Sequence, residues 1–151
     1  MDIGFGDVVT PAPQELAFPA LIDTVPQAEI KAYSLETVVA EKFHAMIVLS
    51  LANSRMKDFF DVYRILVTDR ADDEILSDAI KSTFTNRETG CRENHPLFTE
   101  EFFASKERQS FWNGFLRKIK YPESIDFQTV GLLIRERLQP YWESLRNESI
   151  L

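Results

Sequence analysis

Two helix-period segments separated by only a few polar residues constrain this chain more than any other feature. Residues 33–66 read YSLETVVAEKFHAMIVLSLANSRMKDFFDVYRIL. Ser34 is a good N-cap, because its hydroxyl can accept a bond from one of the first unpaired helical N–H groups. Leu35, Val38, Val39, Ala45, Met46 and Leu49 then recur at helical spacing and predict one apolar stripe. Ala52, Asn53 and Ser54 form a tight polar turn, and a second helix follows with Phe59, Val62, Tyr63 and Leu66 as its apolar residues. So short a connection makes the two helices antiparallel neighbours.

Charged residues fall in this pair where simple packing would not place them. Lys42 lies among the stripe residues, so it must snorkel along its stem, pair with an anion or line a cleft. Asp58 and Asp61 are three apart, so their carboxylates project from one helix face about a turn apart. Lys42 and Asp61 are comparably distant from the turn, which allows a pairing across the two helices. The local alternative is Lys57 with Asp61 and Asp61 with Arg64, ordinary surface pairs worth about 0.3–0.5 kcal/mol each.

At these residues the chain resembles the AbiEii/AbiGii nucleotidyltransferase toxin family. The string E-T-V-V-A-E-K-F-x-A, followed across the turn by N-S-R-M-K-D-F-F-D-V, matches the family's A-E-K-[LF]-x-A and R-x-K/R-D-x-x-D-[LV] motifs in order. The resemblance runs more weakly from Asp2 to about Phe115. It implies a toxin of an abortive-infection, type IV-like toxin–antitoxin system that transfers a nucleotide from a nucleoside triphosphate to an RNA or protein acceptor, assisted by Mg2+. It also implies that Lys42 contacts phosphate, that Asp58 or Asp61 acts as base or orienter, and that Arg55 and Lys57 support nucleotide binding. Glu36 and Glu41 are weaker candidates.

The glycine-rich G-G or G-S turn and the D-x-D pair that hold metal and triphosphate in such enzymes do not occur in these 151 residues. Asp2 would stand where the family keeps a third acidic residue, and it is the one metal candidate. A lone carboxylate cannot assemble two-metal phosphoryl-transfer chemistry. The expectation is therefore the C-terminal portion of such an enzyme, catalytically incomplete as this chain. The competing expectation is a non-catalytic helical interaction module or remnant that binds an antitoxin or self-associates as a homodimer.

The rest of the chain supports a mainly α fold of five or six helices. Met1 to Val9 alternates as a short strand and turn, the expected remainder of a nucleotidyltransferase sheet. Residues 10–31 hold Pro11, Pro13, Pro19 and Pro26 and read as an extended linker anchored by Phe18, Leu21 and Ile22. Residues 1–31 are thus expected to be a strand and linker, and 32–151 a helical, bundle-like domain. Further helices are predicted over Glu74 to Phe84, from Thr99 to Ala104, over Glu107 to Lys120, and from Asp126 past Leu138, with Pro140 breaking or kinking the last one.

Composition narrows the function classes. Twelve phenylalanines in 151 residues imply an aromatic core or a large apolar interface. Net charge −7 argues against a broad nucleic-acid-binding surface. The aromatic and basic run Phe111 to Tyr121 has core spacing rather than that of a stacking platform. Cys91 is the single cysteine, which precludes an internal disulfide and fits a reducing cytoplasm. His44 is off the apolar stripe, and His44 and His95 have no metal-site spacing. No apolar run approaches the roughly 20 residues that span a bilayer.

Overall fold

The computed structural model describes residues 12–18, 28–68, 70–91 and 94–148. The expected strand over Met1 to Val9, with Asp2, and the anchors Leu21 and Ile22 lie outside them. Within them the chain is mainly α. The proline-bearing segment contains two strands, β1 (Gln14–Phe18) and β2 (Ala28–Ala32), paired antiparallel with Leu16 opposite Ile30. Glu15 stands across from Lys31, an opposite-charge juxtaposition that contributes about 0.2–1 kcal/mol to such ladders.

Six helices follow among the described residues: α1 (Leu35–Leu49), α2 (Met56–Val67), α3 (Asp73–Asn86), α4 (Glu100–Ala104), α5 (Lys106–Lys118) and α6 (Phe127–Glu148). Their starts are legible in residue chemistry. The Ser34 hydroxyl accepts from the Thr37 N–H at 3.1 Å. The Asp72 carboxylate accepts from the N–H groups of Glu74 and Ile75, each at 3.0 Å, and Ser105 caps α5. Each such bond satisfies an orphan helix donor and is worth about 1 kcal/mol.

α1 packs against α2 on one side and α3 on the other, and α6 closes over α2. The buried face of α1 is Val39, Ala40, Phe43, Met46 and Ile47, with His44 beside it. This corrects the expected stripe. Leu35 is exposed, and Val38, Ala45 and Leu49 are only half-buried. The reason is Phe43, which is fully buried against Phe84 and Phe98 and turns the helix so that its largest side chain faces the core. Lys42 consequently lies at the edge of that face.

The phenylalanines form the centre of the molecule. Phe59 meets Phe102, Phe103 and Phe127 at centroid distances of 6.1, 6.2 and 5.3 Å, within the range where tilted and edge-on aromatic pairs add to simple burial. Trp112 is fully buried and donates its indole N–H to the Ile125 carbonyl at 2.7 Å. Trp112 and Leu116 thus place α5 on the core, as the spacing predicted, although Phe111 remains exposed.

α6 is not broken at Pro140. It runs on to Glu148, although proline costs a helix interior about 3 kcal/mol. Leu138 before it and Trp142 after it are both buried in the core, and their burial holds the two halves in register. No described helix is long and apolar enough to cross a membrane.

Gly131 of α6 is a close-approach position. A Cβ there would lie 2.1 Å from the Phe103 ring, so the ring rests on bare backbone. Gly131→Ala gains roughly 1 kcal/mol of helix propensity but forces Phe103 out of place at about 1–3 kcal/mol. A lower denaturation midpoint with unchanged slope is the expected outcome in urea unfolding.

Candidate functional site

The turn between α1 and α2 consists of a 3-10 turn, Ser50–Ala52, and three further residues. Asn53 is buried and accepts from the Arg55 N–H at 2.9 Å through its side-chain oxygen, which turns the chain back into α2. This closure lays the first two turns of α2 against the middle of α1. Lys42 therefore meets both aspartates: its Nζ lies 2.7 Å from Asp58 Oδ1 and 2.9 Å from Asp61 Oδ2.

The cluster extends outward. Arg55 Nε reaches Asp58 Oδ2 at 3.3 Å, and Lys57 Nζ reaches Asp61 Oδ2 at 2.5 Å. The local Lys57–Asp61 pair coexists with the cross-helix one, whereas Arg64 turns to the Tyr121 hydroxyl at 2.9 Å instead of Asp61. Side-chain exposure grades the group. Asp58 is 11% exposed, Lys42 21% and Asp61 25%, whereas Arg55 and Lys57 are 60% and 71% exposed. The inner ion pairs are therefore shielded from solvent, and the outer two cations are free to reorient.

Burial by itself would lower the Lys42 pKa. The hydrogen bonds and charges of Asp58 and Asp61 outweigh it and leave the pKa raised. Lys42 is thus a held, permanently charged ammonium rather than a proton acceptor. Three cations face two carboxylates, a surplus of one positive charge directed toward solvent.

Glu36 and Glu41 are drawn to α3 instead. Glu36 is buried and accepts the Asp72 N–H at 3.0 Å, pinning the start of α3 to α1. Glu41 pairs with Arg87. Arg87 also points Nη1 at His44 Nδ1, 3.4 Å away. A guanidinium only donates, so Nδ1 accepts and Nε2 carries the hydrogen, which it gives to Thr89 Oγ1 at 2.7 Å. His44 is thus a buried, satisfied core residue and not the off-core residue that the expected stripe implied. This clasp joins residues more than forty positions apart (44 to 87 and 89), and no local pattern announces it.

The described residues do not fit a magnesium ion. Asp58 and Asp61 are each engaged by two cations, and no group of three or more His, Cys, Asp or Glu among the described residues is placed to hold a metal. Asp2 lies outside them.

A family model described as Nucleotidyl transferase AbiEii toxin, Type IV TA system, matches residues 1–139. The chain belongs to the AbiEii family. The two segments that carry the motif resemblance lie within the matched residues, and the α1–α2 turn folds them together. No curated protein and no solved structure matches the chain.

Two outcomes follow. Asp58→Asn should cost more stability than Asp61→Asn, by about 1–3 kcal/mol against less than about 1, because Asp58 is the more buried carboxylate and the ion pairs it loses are the less screened by solvent; chemical denaturation of the two variants checks the order. Burial, then the Arg87 charge, pushes the His44 pKa down to about 4, so the unfolded chain binds the extra proton first as pH falls. Neutral His44 contributes fully above about pH 6.5, and its contribution drains away toward pH 4, by about 2 kcal/mol between pH 6.5 and 4.5. His44→Gln should flatten that part of the stability–pH curve.

Proposed function

We propose that this chain carries the lysine–carboxylate part of a nucleotidyl-transfer site. Lys42 serves as the cation for the triphosphate of a nucleoside triphosphate, and Asp58 fixes its ammonium. The supporting observation is the cross-helix bridge from Lys42 to both aspartates, which holds one charged ammonium in a defined place at low side-chain entropy cost. Arg55 and Lys57, on the solvent side, would swing from the carboxylates to the phosphates. Asp61, more exposed than Asp58, is the better placed of the two to accept a proton from an attacking hydroxyl.

The acceptor on this reading is an RNA or protein hydroxyl, the setting is cytoplasmic, and an antitoxin protein is the regulatory partner. Magnesium would be held by carboxylates other than Asp58 and Asp61. No D-x-D pair occurs in this sequence, so the chain would act together with residues it does not itself contain.

A second reading, a non-catalytic helical interaction module, is favoured by the satisfaction of both aspartates within the cluster. Calorimetric titration with each of the four nucleoside triphosphates in Mg2+ separates the two. Binding that disappears in Lys42→Ala and weakens roughly tenfold in Lys57→Ala supports the nucleotide site. Lys57 is on the surface, so its variant keeps the fold. No heat with any triphosphate, from a chain whose circular dichroism is intact, would leave the interaction module as the function.

A further inference from the structure

The solvent face of α2 continues past the ion cluster. Lys57, Asp61 and Arg64 follow one another at helical spacing, so their side chains share one face. Arg64 donates from Nη1 to the Tyr121 hydroxyl at 2.9 Å, and its guanidinium carbon lies 5.9 Å from the Tyr121 ring centroid. That bond uses one N–H of an exposed guanidinium, whose other donors remain for a ligand.

Tyr121 is held by backbone, by Phe60 and by Arg64. α5 ends with Lys120 in the left-handed region at φ 53°, the Lys120 N–H on the Arg117 carbonyl at 3.1 Å and the Tyr121 N–H on the Leu116 carbonyl at 3.0 Å. This pair of bonds is the Schellman closure, and it turns the chain back toward α2. Phe60 then meets the Tyr121 ring at 5.1 Å with the planes at 81°. An edge-on neighbour supports a ring without stacking flat on it. Phe60 is the one described ring paired with Tyr121, which is half-buried rather than enclosed. The result is a fixed aromatic shelf with a guanidinium at its hydroxyl edge.

The distance of this shelf from the cluster decides what it fits. Lys57 and Arg64 are separated by about 10 Å of helix at 1.5 Å rise per residue. An extended nucleotide covers that interval between its outer phosphates and its base. With the triphosphate on Lys42 and Lys57, Asp61 comes beside the α-phosphate and the base arrives at Tyr121.

We propose that Tyr121 and Arg64 form the nucleobase seat of this site, with the base stacked on the Tyr121 ring and its edge accepting from Arg64. The inference rests on the phosphate-binding reading of Lys42. Stacking tolerates any base, because each has a π-face, and each also carries an acceptor atom on its edge. The seat therefore takes all four bases with affinities within a few-fold of one another.

The test is calorimetric titration of the full chain, in Mg2+, with the four nucleoside triphosphates and with ribose 5-triphosphate, which has the same phosphates and no base. Each nucleotide should bind roughly tenfold more tightly than ribose 5-triphosphate, the scale of one stacked base. Tyr121→Ser should abolish that difference and leave ribose 5-triphosphate binding within about twofold, whereas Tyr121→Phe, which keeps the ring, should retain most of it. Nuclear Overhauser contacts between base protons and the Tyr121 ring read the stack in the unaltered chain, and they should be present. Equal affinity for nucleotides and ribose 5-triphosphate, or Overhauser contacts to other rings alone, would overturn the seat while leaving Lys42 as the phosphate ligand. Ribose 5-triphosphate that binds the wild type no better than Lys42→Ala would overturn the phosphate reading itself, and the seat with it.

Discussion

The short reversal between α1 and α2 is the constraint on which the rest of the structure depends. Asn53, buried with its oxygen on the Arg55 N–H, turns the chain within a few residues and leaves α2 no course but back along α1. Phe43 and Phe59 are thereby delivered to one core, where α3 and α6 cover them. The same reversal brings an ammonium and two carboxylates together at the rim of that core. Packing and the ion cluster are consequences of one piece of chain geometry.

The cluster is better understood as a positioned charge than as a source of stability. Shielded ion pairs recover little more than their desolvation cost, and the outer pairs are screened. The arrangement instead fixes where one positive charge sits and keeps it charged, since Asp58 and Asp61 together overcome the effect of burial on Lys42. A site for a polyanion needs that placement, and a surface lysine on a flexible stem does not provide it. The AbiEii match over residues 1–139 gives the placement a chemical context.

The two histidines show how polar groups are kept inside this small domain. Each holds one tautomer: His44 through Arg87 and Thr89, and His95 through the Leu97 N–H at 3.2 Å and the Ile47 carbonyl at 2.9 Å. Both are lowered in pKa chiefly by burial. They tie the connection after α3 back to α1, and each remains neutral at ordinary pH.

Much of this was open to reading from residues alone. The helix start at Ser34, the mainly α fold, the core role of Trp112 and Leu116, and the gathering of Lys42, Asp58 and Asp61 near one turn all follow from spacing and capping, which act over a few residues. The proline-bearing segment and the course of α6 through Pro140 were less legible. Pairing of β1 with β2 is a contact between separate stretches, and burial of Leu138 and Trp142 outweighs a local breaker. The sequence by itself determined where most helices run, up to Pro140, and which charged groups lie near the turn, because both depend on neighbours along the chain. Only the tertiary structure decided which face of α1 is buried, that Lys42 bridges both aspartates rather than snorkelling, and that Glu36, Glu41 and His44 serve α3. Those outcomes depend on where distant side chains come to rest, and the volume of Phe43 weighs more there than the period of its helix.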